Sequence, residues 1–406
     1  MGLVLRANAS RGPRLVTPAF VLVCFSNFAY FLAVGALLPV VPLFVEGPLK
    51  GGSIAVGLTF GAFALAAVLL RPFTGRLGDT RGRRVLIIAG GGLVAMGVLG
   101  HVAVESLGLL LLLRLVAGAG EAFFYVGTAS VINDLAPDDR RGEALSYFSL
   151  SLFAGIGLGP VVGELILEAT SYDMTWLFGA AASGVAALLG FVIPETRPSD
   201  SREQRIQLIH PAAVTPGIVM AASIWGLATY TAFVPLYARE IGMGGSSMLF
   251  ALHSGLVFAV RLFGARLPDR LGYNRAATGA LTCSLIGFVL IALWADPVGL
   301  VLGTIVWSLG HSLAFPALMS MAVKNAPSSE RGAVIGTFTA FFDLAFGLGA
   351  VSAGTIVAAI DYPGGFLSSS LAALAGLVLL RERRKARRRA AALEAEGIEE
   401  VPATLS

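Results

Sequence analysis

The chain has 406 residues, of which 56% are hydrophobic and only 13% charged, with a mean hydropathy of +0.80. A soluble globular domain carries roughly 25% charged residues, so this composition excludes a water-soluble fold and requires lipid over much of the outer surface. The net charge of +4 comes from short basic segments between apolar runs rather than from one basic face, which argues against nucleic-acid binding. The two cysteines, Cys24 and Cys283, lie inside apolar runs and read as small buried hydrophobes, not a disulfide framework.

Residues 1–17 form a short tail containing Arg6, Arg11 and Arg14. The apolar run from Pro18 to Val45 is too long for the roughly 7–15-residue core of a signal peptide, so it reads as an uncleaved first span. A spanning helix needs ~20 apolar residues. The spans predicted on that basis are 18–45, 54–73, 85–104, 107–131, 143–167 and 174–193, forming a first bundle over 18–193. Residues 194–212 are polar and read as a linker between two halves. A second bundle over 213–380 then has spans at 213–238, 247–265, 276–295, 298–322, 332–358 and 364–380, the last diluted by two glycines and three serines. Residues 381–406 begin RERRKARRR and turn acidic, which predicts a solvated tail whose first turn lies against anionic lipid. The expected fold class is therefore an all-α membrane protein of about twelve spans in two six-helix bundles.

Basic residues set the expected topology. With the N-terminus inside, 24 of the 29 Lys and Arg fall in inside segments. Lys50 and Arg239 fall outside, and Arg71, Arg114 and Arg261 lie within spans. The positive-inside rule then places both tails in the cytoplasm of a cell carrying this chain in its inner or plasma membrane.

The halves repeat one another. At an offset of 190, R-P-F-T-G-R-L-G-D (Arg71–Asp79) overlays R-L-F-G-A-R-L-P-D (Arg261–Asp269), and Gly82 meets Gly272. The same offset sets A-P-D-D-R-R-G (Ala136–Gly142) on A-P-S-S-E-R-G (Ala326–Gly332). Near the first span of each half the offset is 193, with Pro42-Leu43-Phe44 on Pro235-Leu236-Tyr237. Six spans per repeat give halves of the same orientation, the parallel arrangement used by alternating-access transporters.

Residues 75–84, G-R-L-G-D-T-R-G-R-R, combine a close-approach glycine (Gly75), a capping or pairing acid (Asp79), a turn glycine (Gly82) and a basic cluster of Arg81, Arg83 and Arg84. The segment resembles the loop 2–3 signature G-x-L-x-D-x-x-G-R-R/K of the major facilitator superfamily, with a degraded echo at 265–275 that includes Asp269. In the fourth span Arg114, Gly118 and Gly120 resemble that family's R-x-x-x-G-x-G motif, with Ala117 where Gln is usual. In the fifth, Gly155, Gly159, Pro160 and Gly163 resemble the G-x-x-x-G-P-x-x-G antiporter motif, and Glu164 stands where a further Gly is usual. Small residues at that spacing also allow close helix contact on their own account. The resemblance is closest to the drug:proton antiporters. It implies a cytoplasmic gate, export rather than import, and cavity walls built from the first and fourth helices of each half.

Ionisable groups at mid-membrane cost at least ~2.5–3.5 kcal/mol for Asp, Lys or Arg, and are functional candidates by default. At 1.5 Å per residue, Glu121, His311 and Asp343 lie roughly 22, 20 and 18 Å from their helix ends. Glu121 and His311 are equivalent under the 190 offset, and Arg114 lies two turns from Glu121 on the same face. These four are the proton-coupling candidates, because an arginine keeps a nearby carboxylate ionised and parting them invites a proton. Asn27, Tyr30, Phe124, Trp225, Tyr230, Trp307 and Phe315 lie on expected cavity helices, which suits lipophilic or amphipathic cargo.

No nucleotide-binding G-x-x-x-x-G-K-[ST] occurs, so no ATP-driven step is expected. Nor do four histidines spread over four segments supply an enzyme centre. The expected activity is proton-coupled efflux of drug-like molecules by a monomer, with a small-molecule substrate, protons and lipid as its partners and no metal or cofactor. A sugar or metabolite carrier of the same fold is the alternative, and a non-transporting sensor a more distant one.

Overall fold

Each apolar run in the chain becomes one helix, because backbone groups in hydrocarbon must bond within their own segment. The computed structural model describes residues 15–137, 140–197, 209–264, 270–324 and 330–395. Within them lie α1 (Pro18–Glu46), α2 (Gly52–Arg81), α3 (Arg83–Leu99), α4 (Leu107–Leu135), α5 (Arg141–Ala169) and α6 (Tyr172–Leu189). The second half comprises α7 (Pro211–Glu240), α8 (Ser247–Phe263), α9 (Tyr273–Leu293), α10 (Pro297–Val323), α11 (Arg331–Ala359) and α12 (Tyr362–Ala395). Ten of these helices are long and apolar enough to cross a membrane, and α8 is apolar but shorter. An even number of crossings puts the beginning of α1 and the end of α12 on one side, called here the tail side.

Short polar residues start several helices by accepting otherwise orphaned N–H groups. Thr17 accepts from Phe20 at the start of α1, Ser171 from Met174 at α6, and Asp296 from Val298 and Gly299 at α10. Two helices run past their predicted ends. α2 continues through Gly75 and Asp79 to Arg81 and stops only at Gly82, whose φ of +106° is the left-handed backbone that glycine tolerates. Its repeat mate Gly272, before α9, has φ +82°. α12 continues beyond residue 380 to Ala395, because Arg, Lys, Ala, Glu and Leu are strong helix formers and no breaker intervenes.

The packing repeats with the sequence. α1 lies on α5 as α7 lies on α11, α3 on α4 as α9 on α10, and α3 on α6 as α9 on α12. α5 approaches α1 so closely that a Cβ on Gly159 would sit 2.6 Å from the backbone of Gly35 and Ala36. Gly155 and Gly163 meet the same helix. The antiporter-like motif is thus the α1–α5 contact surface, with Pro160 inside α5.

The halves meet along two pseudo-symmetric seams, α2 with α11 and α5 with α8. Away from the tail side both seams are shut. A Cβ on Gly354 of α11 would lie 2.6 Å from the Ser53 carbonyl of α2. At the equivalent point of the other seam, Glu164 of α5 is only 3% exposed and caps α8. Its carboxylate accepts from Ser246 N at 2.9 Å, Ser246 Oγ at 2.6 Å and Ser247 N at 2.7 Å. A helix N-terminus carries partial positive charge, so an anion there is held without a basic side chain. On the tail-side parts of α2 and α11, Gly75 and Gly336 face open space.

Two outcomes follow from these contacts. Gly159→Val forces a branched side chain into α1 backbone, an overpacking cost of ~1–3 kcal/mol. Thermal unfolding in detergent should come correspondingly earlier, while Gly184→Val, at a glycine facing open space, leaves it unchanged. Glu164→Gln keeps the shape but removes the charge at the α8 terminus, worth up to ~2 kcal/mol. A cysteine at Ser53, in a chain cleared of Cys24 and Cys283, should then react faster with a maleimide supplied from the far side; unchanged reactivity would exclude Glu164 as a latch.

Candidate functional site

Arg71, on α2, carries its guanidinium into the interior at mid-depth. Its Nη2 lies 3.2 Å from Glu121 Oε2 on α4, and its Nη1 lies 3.0 Å from Asp343 Oδ2 on α11. Relative exposures of 18%, 14% and 12% for Arg71, Glu121 and Asp343 leave all three mostly out of contact with bulk solvent. The bond to Glu121 is a directed hydrogen bond, whereas Asp343 makes a charge contact. The Arg71 guanidinium also lies 5.4 Å over the Tyr125 ring, a further electrostatic hold. One guanidinium thus stands between two carboxylates that come from different helices.

Two expected coupling residues, Glu121 and Asp343, therefore share one site, although they come from different halves. The expected Arg114–Glu121 pair is not formed. Two helical turns separate them by about 10.5 Å, and Gly118 brings α2 close beside α4. Arg114 instead donates Nε–H to the Thr59 carbonyl at 3.2 Å, with its guanidinium near the Phe60 and Phe63 rings. At 7% exposure it serves the α2–α4 contact. His311 stands apart from the triad, 5.4 Å from His253 and 5.5 Å from Trp307 between ring centres. His253 in turn stacks on Trp307 and bonds Ser308 Oγ at 2.8 Å.

Face geometry sorts the aromatic candidates. Tyr30 and Phe124 are fully buried and stacked on one another at 4.0 Å, in the contact between α1 and α4. Asn27 is buried against α5, donating to Ser151 Oγ at 2.9 Å. Tyr230 and Trp307 are buried too, with Tyr230 bonded to Thr304. Trp225 and Phe315 are only half-buried. On α4 it is Tyr125, about 100° around the helix from Phe124, that lies against the Arg71 guanidinium of the ionic triad.

The glycine-and-arginine motif of residues 75–84 folds into a second network at the tail side. Arg83 meets Asp79 at 3.3 Å and Asp134 at 2.8 Å, and Thr196 Oγ donates to Asp134 at 2.8 Å. Glu195 accepts from the backbone N–H of Arg83 at 2.9 Å and Arg84 at 3.2 Å, capping α3. Any Cβ on Gly82 would strike that carboxylate. Arg84 reaches the Phe191 carbonyl, and Arg81 is exposed. Asp269 lies outside the described residues. Asp134 and Glu195 were not anticipated from sequence; their signals are an acid near the end of the fourth span and the P-E-T-R that follows the sixth. Among the described residues no three His, Cys, Asp or Glu side chains group as metal ligands would.

The family model of the Major Facilitator Superfamily matches residues 23–340 and 276–405. MFS-type transporter STM4428 of Salmonella typhimurium is 28% identical over 369 residues, covering 87% of this chain and 93% of its own. An MFS-type transporter of Pseudomonas aeruginosa is 31% identical over 383 residues, covering 90% and 92%. The crystal structure of the nucleoside transporter NupG superposes with a TM-score of 0.77 over 90% of this chain and 99% of its own, at 14% identity. Repeat, packing and relatives agree: this multi-pass membrane protein belongs to the Major Facilitator Superfamily of transporters.

Proposed function

We propose that the chain exports lipophilic or amphipathic small molecules in exchange for protons, by alternating access, as a monomer in the inner or plasma membrane with both tails cytoplasmic. The observation that carries this reading is the triad of Arg71, Glu121 and Asp343 lying across the α2–α11 seam. Rocking the halves apart along this seam must lengthen the Arg71–Asp343 contact, while Arg71 and Glu121 move together within one half. A carboxylate paired with arginine stays ionised, and one parted from it in a dry site takes up a proton more readily. Protonation and rocking are then two sides of one equilibrium, which is what a coupled carrier requires. The Asp79–Arg83–Asp134 network would act as the cytoplasmic gate, and Glu164 as its counterpart at the outer end.

The energetics suffice. A proton crossing 100 mV releases ~2.3 kcal/mol. At ~1.4 kcal/mol per tenfold, that sustains roughly a 40–50-fold gradient of neutral cargo.

Inverted vesicles with an imposed pH gradient and a panel of dyes and antibiotics provide the test. Glu121→Gln and Asp343→Asn should each abolish pH-driven movement while cargo binding stays measurable; wild-type rates in both would remove the triad from the mechanism. Stability offers a separate check. Arg71→Gln strands two buried carboxylates and should cost ~3–5 kcal/mol. The triple variant Arg71→Gln, Glu121→Gln, Asp343→Asn carries no stranded charge, so it should recover most of that stability and still fail to couple.

A further inference from the structure

The duplication that relates the halves also relates their polar sites, and at the equivalent position the charges do not balance. Under the 190 offset Arg71 corresponds to Arg261, Glu121 to His311, Asp343 to Phe153 and Tyr125 to Phe315. The second set occupies the pseudo-symmetric place, on α8, α10 and α5. Arg261 has kept its charge, but both acids that would neutralise it are gone. Its guanidinium lies 4.2 Å from the centre of the Phe153 ring, across the α5–α8 seam just as Arg71 meets Asp343 across the other. Among the described residues no carboxylate pairs with Arg261, and its Nε is buried without a hydrogen-bond partner. His311, the repeat mate of Glu121, has a buried Nδ1 without a partner as well.

A ring face contributes about 0.5–2 kcal/mol to a cation. It also accepts none of the five N–H bonds the guanidinium offers. The side chain as a whole is only partly buried. We propose that Arg261 is the recognition site for an organic carboxylate on an apolar body, with the carboxylate in the guanidinium fork beside His311 and the body against Phe153 and Phe315. A planar fork matches a carboxylate bidentately, and a single unpaired cation suits a monoanion better than a phosphate ester. The proposal narrows the lipophilic-cargo reading above to acids and rests on it for transport, but not for binding.

Binding is therefore the test. Purified full-length protein in nanodiscs is titrated with pyrenebutyrate, naphthoate and decanoate, each against its own methyl ester. Wild type should bind carboxylate about tenfold tighter than ester, a difference of ~1.4 kcal/mol. In Arg261→Gln the ratio should fall to near one, and Arg261→Lys should keep part of it. Phe153→Asp gives Arg261 the internal acid its counterpart has, and should abolish the preference with the arginine intact, which keeps the test available if Arg261→Gln does not fold. A wild-type ratio near one for all three pairs, or a ratio that survives both Arg261→Gln and Phe153→Asp, overturns the proposal. A wild type that prefers carboxylates yet shows no pH-driven transport supports the site and sinks the proton coupling instead.

Discussion

Everything in the interior is arranged around one arginine that belongs to two acids in different halves. Arg71 could be neutralised by Glu121 alone, within its own bundle. The added contact to Asp343 makes its charge balance depend on how the bundles sit. In a medium of low dielectric such a contact cannot be stretched without a compensating charge. The bundles themselves are held by small-residue packing, and two of those seams are shut on the side away from the tails, by Gly354 against Ser53 and by Glu164 on the α8 terminus. The Gly354–Ser53 contact is van der Waals packing that opens at little electrostatic cost, whereas Glu164 holds a charge against a helix terminus. The ionic triad adds a charge contact across the α2–α11 seam, and it is there that the proposed proton coupling would act.

Much of this was legible in the sequence. Twelve apolar runs give twelve helices, because each run closes its own hydrogen bonds and nothing else can in lipid. The repeat of Gly82 at Gly272 foretold two turns of the same backbone, and both glycines do have positive φ. Tail-side helix ends were less legible. Hydropathy stops where charge begins, but helix propensity does not, so α2 runs on through the motif and α12 through its arginines.

Partners were the hardest to read. Spacing along α4 offers Arg114 as the nearest cation to Glu121, yet which face of α4 meets α2 is decided by Gly118 and by the whole bundle. The same ambiguity separates Phe124 from Tyr125, neighbours in sequence that point to different helices. Glu195 and Asp134 approach Arg83 from segments far away in the chain, and no local pattern couples them. The repeat held the one usable clue: Arg71 and Arg261 recur at equivalent points inside spans, where a lone arginine has no reason to persist without a partner.

That recurrence would also set the electrical character of the proposed exchange. In the first half the partners are fixed acids, and with one proton the triad becomes neutral. In the second half the partner is missing from the chain, and the proposed cargo brings it. In the proposed exchange the proton balances the triad in one leg of the cycle and the cargo anion balances Arg261 in the other. Exchanging one proton inward for one monoanion outward would move two charges across the membrane in the favoured direction. At ~2.3 kcal/mol per charge per 100 mV, the driving force is then about twice that for neutral cargo. An acid expelled this way leaves a negative interior under its own electrical force, so a carrier with one self-neutralised and one open arginine is better matched to acidic than to cationic amphiphiles.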